Sequence, residues 1–113
     1  MIEVLKQDAQ YLVVKVNLTE ANLSNADAFK QQVINLIDQH HKSLIIVLQQ
    51  VEYVDSSFLG ALVAILKHAI AHKTDVLLIE LRKDIHNLMA LIRLDKVFKI
   101  YGTLPEAVQS LNL

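Results

Sequence analysis

The segment SLIIVLQQVEYVDSSFLGALVAILKHAIAH, residues 43–72, determines the expected fold of this 113-residue chain. It opens with a continuous aliphatic run, which is typical of a strand covered on both faces in a mainly parallel sheet. A nearly all-apolar helix is predicted over about residues 57–72. Its longest apolar run is far shorter than the roughly 20 residues that cross a bilayer, so we expect a buried helix and no membrane insertion.

The residues before this segment predict two strands and an amphipathic helix. Residues 2–5 and 11–16 are strand-like and are joined by a short polar connection. Residues at helical spacing follow, and Ser24 with Asp27 three positions later resembles a capping arrangement that starts this helix. The inward stripe consists of Ala26, Phe29, Val33, Leu36 and Ile37.

The residues after the segment alternate between strand and helix patterns. Residues 76–81 and 97–101 predict buried strands, Asp84 is predicted to cap a short helix, and Thr103 with Glu106 forms a capping box for the last helix. The buried face of the short helix is expected to hold Ile85, Leu88, Met89 and Ile92. We therefore expect one α/β domain over residues 1–113, with a mixed, mostly parallel sheet of about four to five strands and about four α-helices.

Composition excludes several functional classes. The net charge is −1, with basic and acidic residues mixed along the chain, so neither nucleic acid nor an anionic membrane is an expected partner. The absence of cysteine removes thiolate chemistry and fits a reducing compartment. The first residues lack the pattern of a secretory signal, so a cytoplasmic protein is expected.

Few residues are candidates for catalysis or metal binding. His68 and His72 lie four residues apart, yet the spacing indicates no third ligand, so we expect a solvated helix end and no metal. Ser56 and Ser57 lack the flanking glycines of a nucleophile elbow. With only two glycines, the chain also has no dinucleotide or phosphate-binding loop. We expect no enzyme activity and no cofactor.

The polar corner at Asp55, Ser56 and Ser57 has two explanations. An acid or hydroxyl at a helix start caps the free amides, which is worth about 1 kcal/mol. A hydroxyl there can also accept phosphate, because the positive end of the helix dipole favours negative charge. Phosphate would then disrupt a docking surface formed by whichever of Phe58, Leu59 and Ala61 escapes the core. The residue pattern alone leaves both explanations open.

The stretch VEYVDSSFLGALVAILKHA, with the element order above and the closing LIRLDKVFKIYGTLPEAVQSL, resembles the STAS domain family. Within that family it is similar to the small bacterial anti-sigma factor antagonists, and the resemblance covers essentially the whole chain. It implies a partner switch. A serine kinase that is also an anti-sigma factor phosphorylates the antagonist, a serine phosphatase reverses this, and the unphosphorylated antagonist binds the kinase and releases the kinase's other client.

Carried onto this sequence, the resemblance assigns the phosphoacceptor role to Ser56. It places the binding surface at Asp55, Ser57, Phe58, Leu59, Gly60 and Asn22. The free protein is expected to be a monomer without catalytic residues or bound metal. The alternatives are a regulatory STAS subunit of a membrane transporter, which is not phosphorylated, and, less favoured, a small enzyme or ligand carrier.

Three positions depart from the family pattern. Phe58, Thr19 and Arg93 stand where many members have glycine. None of these departures removes the acceptor serine, but Phe58 is expected to add bulk beside Ser56 and to influence the choice of kinase.

Overall fold

The computed structural model describes residues 1–111, which contain seven strands and four α-helices. The strands are β1 Ile2–Gln7, β2 Tyr11–Val16, β3 Glu20–Ala21, β4 Ser43–Val47, β5 Tyr53–Val54, β6 Val76–Ile79 and β7 Lys99–Tyr101. The α-helices are α1 Leu23–His40, α2 Ser56–Ala71, α3 Lys83–Leu91 and α4 Leu104–Leu111, and a short 3-10 helix, Leu94–Lys96, precedes β7. Among the described residues, no helix is both long and apolar enough to cross a membrane.

Five strands form one mixed sheet in the order β1-β2-β4-β6-β7. The β1 strand runs antiparallel to β2, and the remaining neighbours are parallel. The expected sheet and the four helices are therefore confirmed. The two remaining strands, β3 and β5, pair in parallel as a separate small ribbon. This ribbon was not predicted, because strands of two residues are too short to show an alternating pattern.

The sheet is covered on both faces. Residues Leu44 and Ile46 of β4 pack with α1, α2 and α3, whereas Ile45 and Val47 pack with α4 on the opposite face. Because successive side chains of a strand point to opposite faces, a strand with both faces covered must be apolar at every position. The interpretation of the aliphatic run SLIIVLQQV as a central buried strand is thus confirmed for residues 43–47, whereas residues 48–51 lie beyond the strand.

Helix starts differ from the sequence-based predictions at three places. Asn22 caps α1, so Ser24 and Asp27 do not form the predicted arrangement. Helix α2 begins at Ser56, one residue earlier than predicted. Arg82 precedes α3 without any side-chain cap bond, and Asp84 lies inside the first turn. An acid in the first turn is favourable for the helix dipole, which explains why Asp84 resembled a cap.

The region between α3 and β7 was also predicted imperfectly. Ile92 follows α3 and is 44% exposed, so it does not belong to the buried face. The amides of Val97 and Phe98 both donate to the Leu94 carbonyl, and β7 begins only at Lys99. Arg93 has φ of 64°, in the left-handed region. Glycine enters this region without strain, so the family glycine at this position has a conformational reason.

Candidate functional site

The starts of α1 and α2 are joined through one carboxylate. Asp55 is the N-cap of α2, and its Oδ1 accepts from the Phe58 amide at 3.0 Å. Its other oxygen, Oδ2, accepts from the Leu23 amide at 2.9 Å, at the start of α1. Asp55 therefore satisfies free amides of both helices and fixes the two helix starts side by side.

The start of α1 has its own capping box, formed by two asparagines. Asn22 Oδ1 accepts from the Ser24 amide at 3.0 Å, and Asn25 Oδ1 accepts from the Asn22 amide at 2.9 Å. The Asn25 amide group also donates to the Glu20 carbonyl at 2.9 Å. The resemblance placed Asn22 near the corner at Asp55. The structure shows that Asn22 is the N-cap of α1, the helix whose start is hydrogen-bonded to Asp55. Sequence reasoning missed Asn25, although its spacing of three from Asn22 was visible.

The short β3–β5 ribbon holds the two capping residues in register. Ala21 pairs with Val54, and the Asp55 amide donates to the Ala21 carbonyl at 3.1 Å. Asn22 and Asp55 directly follow these paired strands, so the ribbon brings the two helix starts to the same edge of the molecule.

The hydroxyl residues of the corner differ in exposure. Ser56 is exposed at the first position of α2, whereas Ser57 is half-buried. Ser57 lines an open groove of about 380 Å³ between α1 and α2. The other lining residues are Leu23, Ala26, Asp27, Lys30, Gly60, Ala61 and Ala64.

Two groove residues are well suited to contact another molecule. Leu23 is 75% exposed at the start of α1, so a large apolar side chain stands free beside the corner. Gly60 is also exposed, and a Cβ at this position would meet no neighbouring atom within 4 Å. The glycine is therefore not required to avoid a steric clash within the chain. Its missing side chain leaves open space at the groove. Sequence reasoning missed Leu23 because its exposure depends on the position of α2.

Phe58 and Leu59 do not form part of the exposed surface. Phe58 is fully buried and stacks on Phe29 of α1 with ring centroids 4.5 Å apart, and Leu59 is only 8% exposed. Ala61 is likewise buried. The two side chains are therefore not exposed in the free protein, because α2 turns both into the core, and their role in partner binding stays a prediction. Phe58 fills the space between the helices and does not add bulk beside Ser56.

A second polar cluster lies at the opposite ends of the same two helices. His68 Nε2 donates to Oδ1 of Asp38 at 2.7 Å, which joins the last turns of α2 and α1. The pKa of Asp38 is lower than its usual value, mainly because of this hydrogen bond. His72 stacks on His68 with ring centroids 4.2 Å apart. The spacing of the histidines indicated no third ligand; the structure places a third metal-ligating side chain, Asp38, beside them from 30 residues before His68.

The STAS domain family model matches residues 4–107 of this chain. The chain belongs to the STAS domain family. A Thermotoga maritima protein, provisionally named an anti-sigma factor antagonist, is 30% identical to this STAS domain over 102 residues. The match covers 89% of this chain and 90% of the relative. The resemblance stated from the sequence is thus confirmed at the level of the family.

Solved structures agree with this assignment. A crystal structure of a T. maritima protein, again provisionally described as an anti-sigma factor antagonist, matches this STAS domain with a TM-score of 0.81 and 28% identity. The match covers 100% of this chain and 94% of that one. The Bacillus cell fate determinant SpoIIAA in its phosphorylated form has a TM-score of 0.72 and 13% identity, with 98% and 99% of the chains covered. At that identity, the second match shows the fold alone.

Proposed function

We propose that this STAS domain is an anti-sigma factor antagonist that acts by partner switching. In its unphosphorylated form it binds an anti-sigma factor that is also a serine kinase, and the kinase releases its other client. Phosphorylation of Ser56 abolishes this binding, and a serine phosphatase restores it. The proposal places the protein in the cytoplasm as a monomer when free, with no catalytic residue of its own.

The observation that carries the proposal is the exposure of Ser56 at the first position of α2. The neighbouring Asp55 makes the capping bonds, so the Ser56 hydroxyl is not needed to cap the helix. A kinase can therefore modify Ser56 without removing a bond that holds the helix starts together. The capping and switch explanations of the corner are compatible, since different residues of the motif serve each role.

The surroundings of Ser56 support a large effect of phosphate on docking. Phosphate adds up to about two negative charges at pH 7 beside the Asp55 carboxylate. The positive end of the helix dipole tolerates this charge in the free protein. In a complex that covers the groove and Leu23, the phosphate would lose its hydration and stand close to the negative charges of the kinase-bound nucleotide. A loss of about 2.7 kcal/mol corresponds to roughly 100-fold in affinity.

The first test is intact-mass spectrometry with peptide mapping on protein purified from its native cells with phosphatases inhibited. We expect one phosphate on Ser56. Protein that is unmodified under every growth condition, while the same method detects other phosphoproteins, would contradict the proposal and favour the transporter-subunit alternative.

Binding to the kinase tests the switch itself. We expect Ser56→Ala to bind the kinase constitutively and to resist phosphorylation, and Ser56→Asp to bind on the order of 100-fold more weakly. Ser57→Ala is the matched control. It removes the neighbouring hydroxyl, and this variant should still accept phosphate on Ser56. Full affinity of Ser56→Asp would show that negative charge at Ser56 does not control docking.

A further inference from the structure

Asp38, His68 and His72 form a compact set of metal-ligating groups at the ends of α1 and α2. One ligand atom from each residue lies within 4.8 Å of the other two. Asp38 and His72 are exposed and His68 is half-buried, so an ion from solvent can reach all three side chains. The cluster lies at the opposite end of the helix pair from Ser56, and its chemistry is independent of the proposed switch.

The tautomer of His72 suits coordination through Nε2. Its Nδ1 lies 2.8 Å from the backbone carbonyl of His68. A carbonyl oxygen only accepts, so Nδ1 carries the proton and the lone pair of neutral His72 is on Nε2. A hydrogen bond from the second ring nitrogen to a carbonyl is the usual way in which proteins fix the tautomer of a metal-binding histidine.

His68 and Asp38 contribute the other two groups from different helices. The Nε2 atom of His68 and the Oδ1 atom of Asp38 are 2.7 Å apart, with the ring N–H donating to the carboxylate. The Asp38 side chain is exposed and offers a carboxylate oxygen as a ligand. A cation at this position would attract the carboxylate and accept the Nε2 lone pair of neutral His68, whose ring proton would then lie on Nδ1. It would also tie the last turn of α2 to α1.

We propose that Asp38, His68 and His72 bind one Zn²⁺ ion that bridges α1 and α2. Two imidazole nitrogens and one carboxylate oxygen form a typical zinc ligand set, and water fills the fourth position. Zinc ligands at about 2.0–2.2 Å from the ion lie about 3.3 Å from one another in a tetrahedron. The three ligand atoms lie within 4.8 Å of one another, so the side chains must rotate and the stacked rings of His68 and His72 must separate for all three atoms to reach that spacing.

Isothermal titration of the untagged, chelator-treated full chain with zinc chloride tests the proposal. We expect saturable binding of one ion per chain, weakened at least about tenfold by His72→Gln and by Asp38→Asn. His86→Gln is the matched control, because His86 is an exposed histidine on α3 and should leave zinc affinity unchanged. Ser56→Ala should also bind zinc normally. Absence of saturable binding, or equal weakening by His86→Gln, would overturn the proposal.

The NMR resonances of the histidine rings give a second readout. It uses the native chain, so a folding defect in a variant cannot affect it. In the native chain labelled with ¹⁵N, we expect zinc to shift the ring nitrogens of His68 and His72 and to leave those of His86 in place. Zinc shifts that are centred on His40 or His41, or that are spread equally over all five histidines, would show that the ion binds elsewhere.

Discussion

At the scale of the residue, Asp55 is the side chain on which the corner depends most. It is only partly exposed, and its two oxygens accept from amides of two different helices. A hydroxyl at this position could reach one of these amides but not both, which is the physical reason for an acid here. Ser56 and Ser57, which follow, are therefore not needed to cap the helix.

We predict that Asp55→Ala lowers the free energy of unfolding by about 2 kcal/mol, because it leaves both amides without their acceptor. Asp55→Asn should lower it less, since the remaining amide oxygen still accepts one bond. Asp27→Ala is the control, because the Asp27 side chain is 95% exposed and its loss should change stability by less than about 0.5 kcal/mol. Urea unfolding gives these values, and an Asp55→Ala protein as stable as the parent would refute the bridging role.

At the scale of the element, the pairing of α1 with α2 depends on aromatic packing. Phe29 and Phe58 are both fully buried and their rings stack at 28° between planes. The departure from the family glycine at Phe58 is thus a feature of the core between these helices. Its side chain is not part of the exposed surface of the free protein.

We predict that Phe58→Ala lowers the free energy of unfolding by about 3–5 kcal/mol, since it leaves a cavity against Phe29. Phe58→Leu should lower it by less, because it fills more of the space. Ile70→Ala on the exposed side of α2 is the control and should have an effect within about 0.5 kcal/mol. Thermal or urea unfolding measures all three. A small loss in Phe58→Ala would mean that neighbouring side chains close the cavity.

A surface ion pair connects β7 to the residue that precedes β6. Lys99 Nζ lies 2.6 Å from Oδ2 of Asp75, and this hydrogen bond is the main cause that raises the pKa of Lys99 above 10.5. A lysine whose pKa is higher in the folded chain than in the unfolded chain stabilises the fold. This stabilisation is fully present at pH values below the unfolded pKa of about 10.5, and it is lost as the pH rises through the pKa of the folded state.

We therefore predict that the stability difference between the parent and Lys99→Met is present at pH 8 and shrinks as the pH rises above about 10.5. Its size should not exceed about 1 kcal/mol, because the Lys99 side chain is 60% exposed. Lys67→Met on the exposed side of α2 is the control and should show no such trend. Denaturant unfolding at several pH values measures the difference. A stability difference that increases above pH 10.5 would contradict the predicted direction of the pH dependence.

At the scale of the whole molecule, the sheet has two apolar faces and each needs its own cover. Helices α1, α2 and α3 cover one face, and α4 covers the other. Ala107 is the fully buried contact of α4, and its small side chain lets the helix lie close to β4 and β6. The last helix is therefore part of the core.

We predict that Ala107→Asp lowers the free energy of unfolding by at least about 3 kcal/mol, because it places an unpaired charge between α4 and the sheet. Gln109→Asp, on the exposed side of α4, should change stability by less than about 0.5 kcal/mol. Urea unfolding with circular dichroism compares the two variants. Equal stability of both would show that α4 is not tightly packed on the sheet.

Patterns within short segments were enough to predict the order of the main strands and helices, the burial of β4 and the membership in the STAS family. Hydrophobic periodicity carries the information about the strands and helices, because each must present an apolar face to the core, whereas the family was indicated by the resemblance of the motif and the closing segment. The motif Asp55, Ser56 and Ser57 was also recognisable, since it consists of consecutive residues. The sequence by itself therefore determined the fold class and the position of the candidate acceptor.

The tertiary structure decided which distant residues meet. The bond from Leu23 to Asp55 spans 32 positions, and the bond from His68 to Asp38 spans 30. The burial of Phe58 likewise depends on the position of Phe29 on another helix. These contacts follow from strand order and helix packing, which set distances between elements that no local pattern encodes. The sequence thus determined the elements, the motif and the burial of β4, and packing decided which distant side chains are joined and whether residues such as Phe58 are exposed.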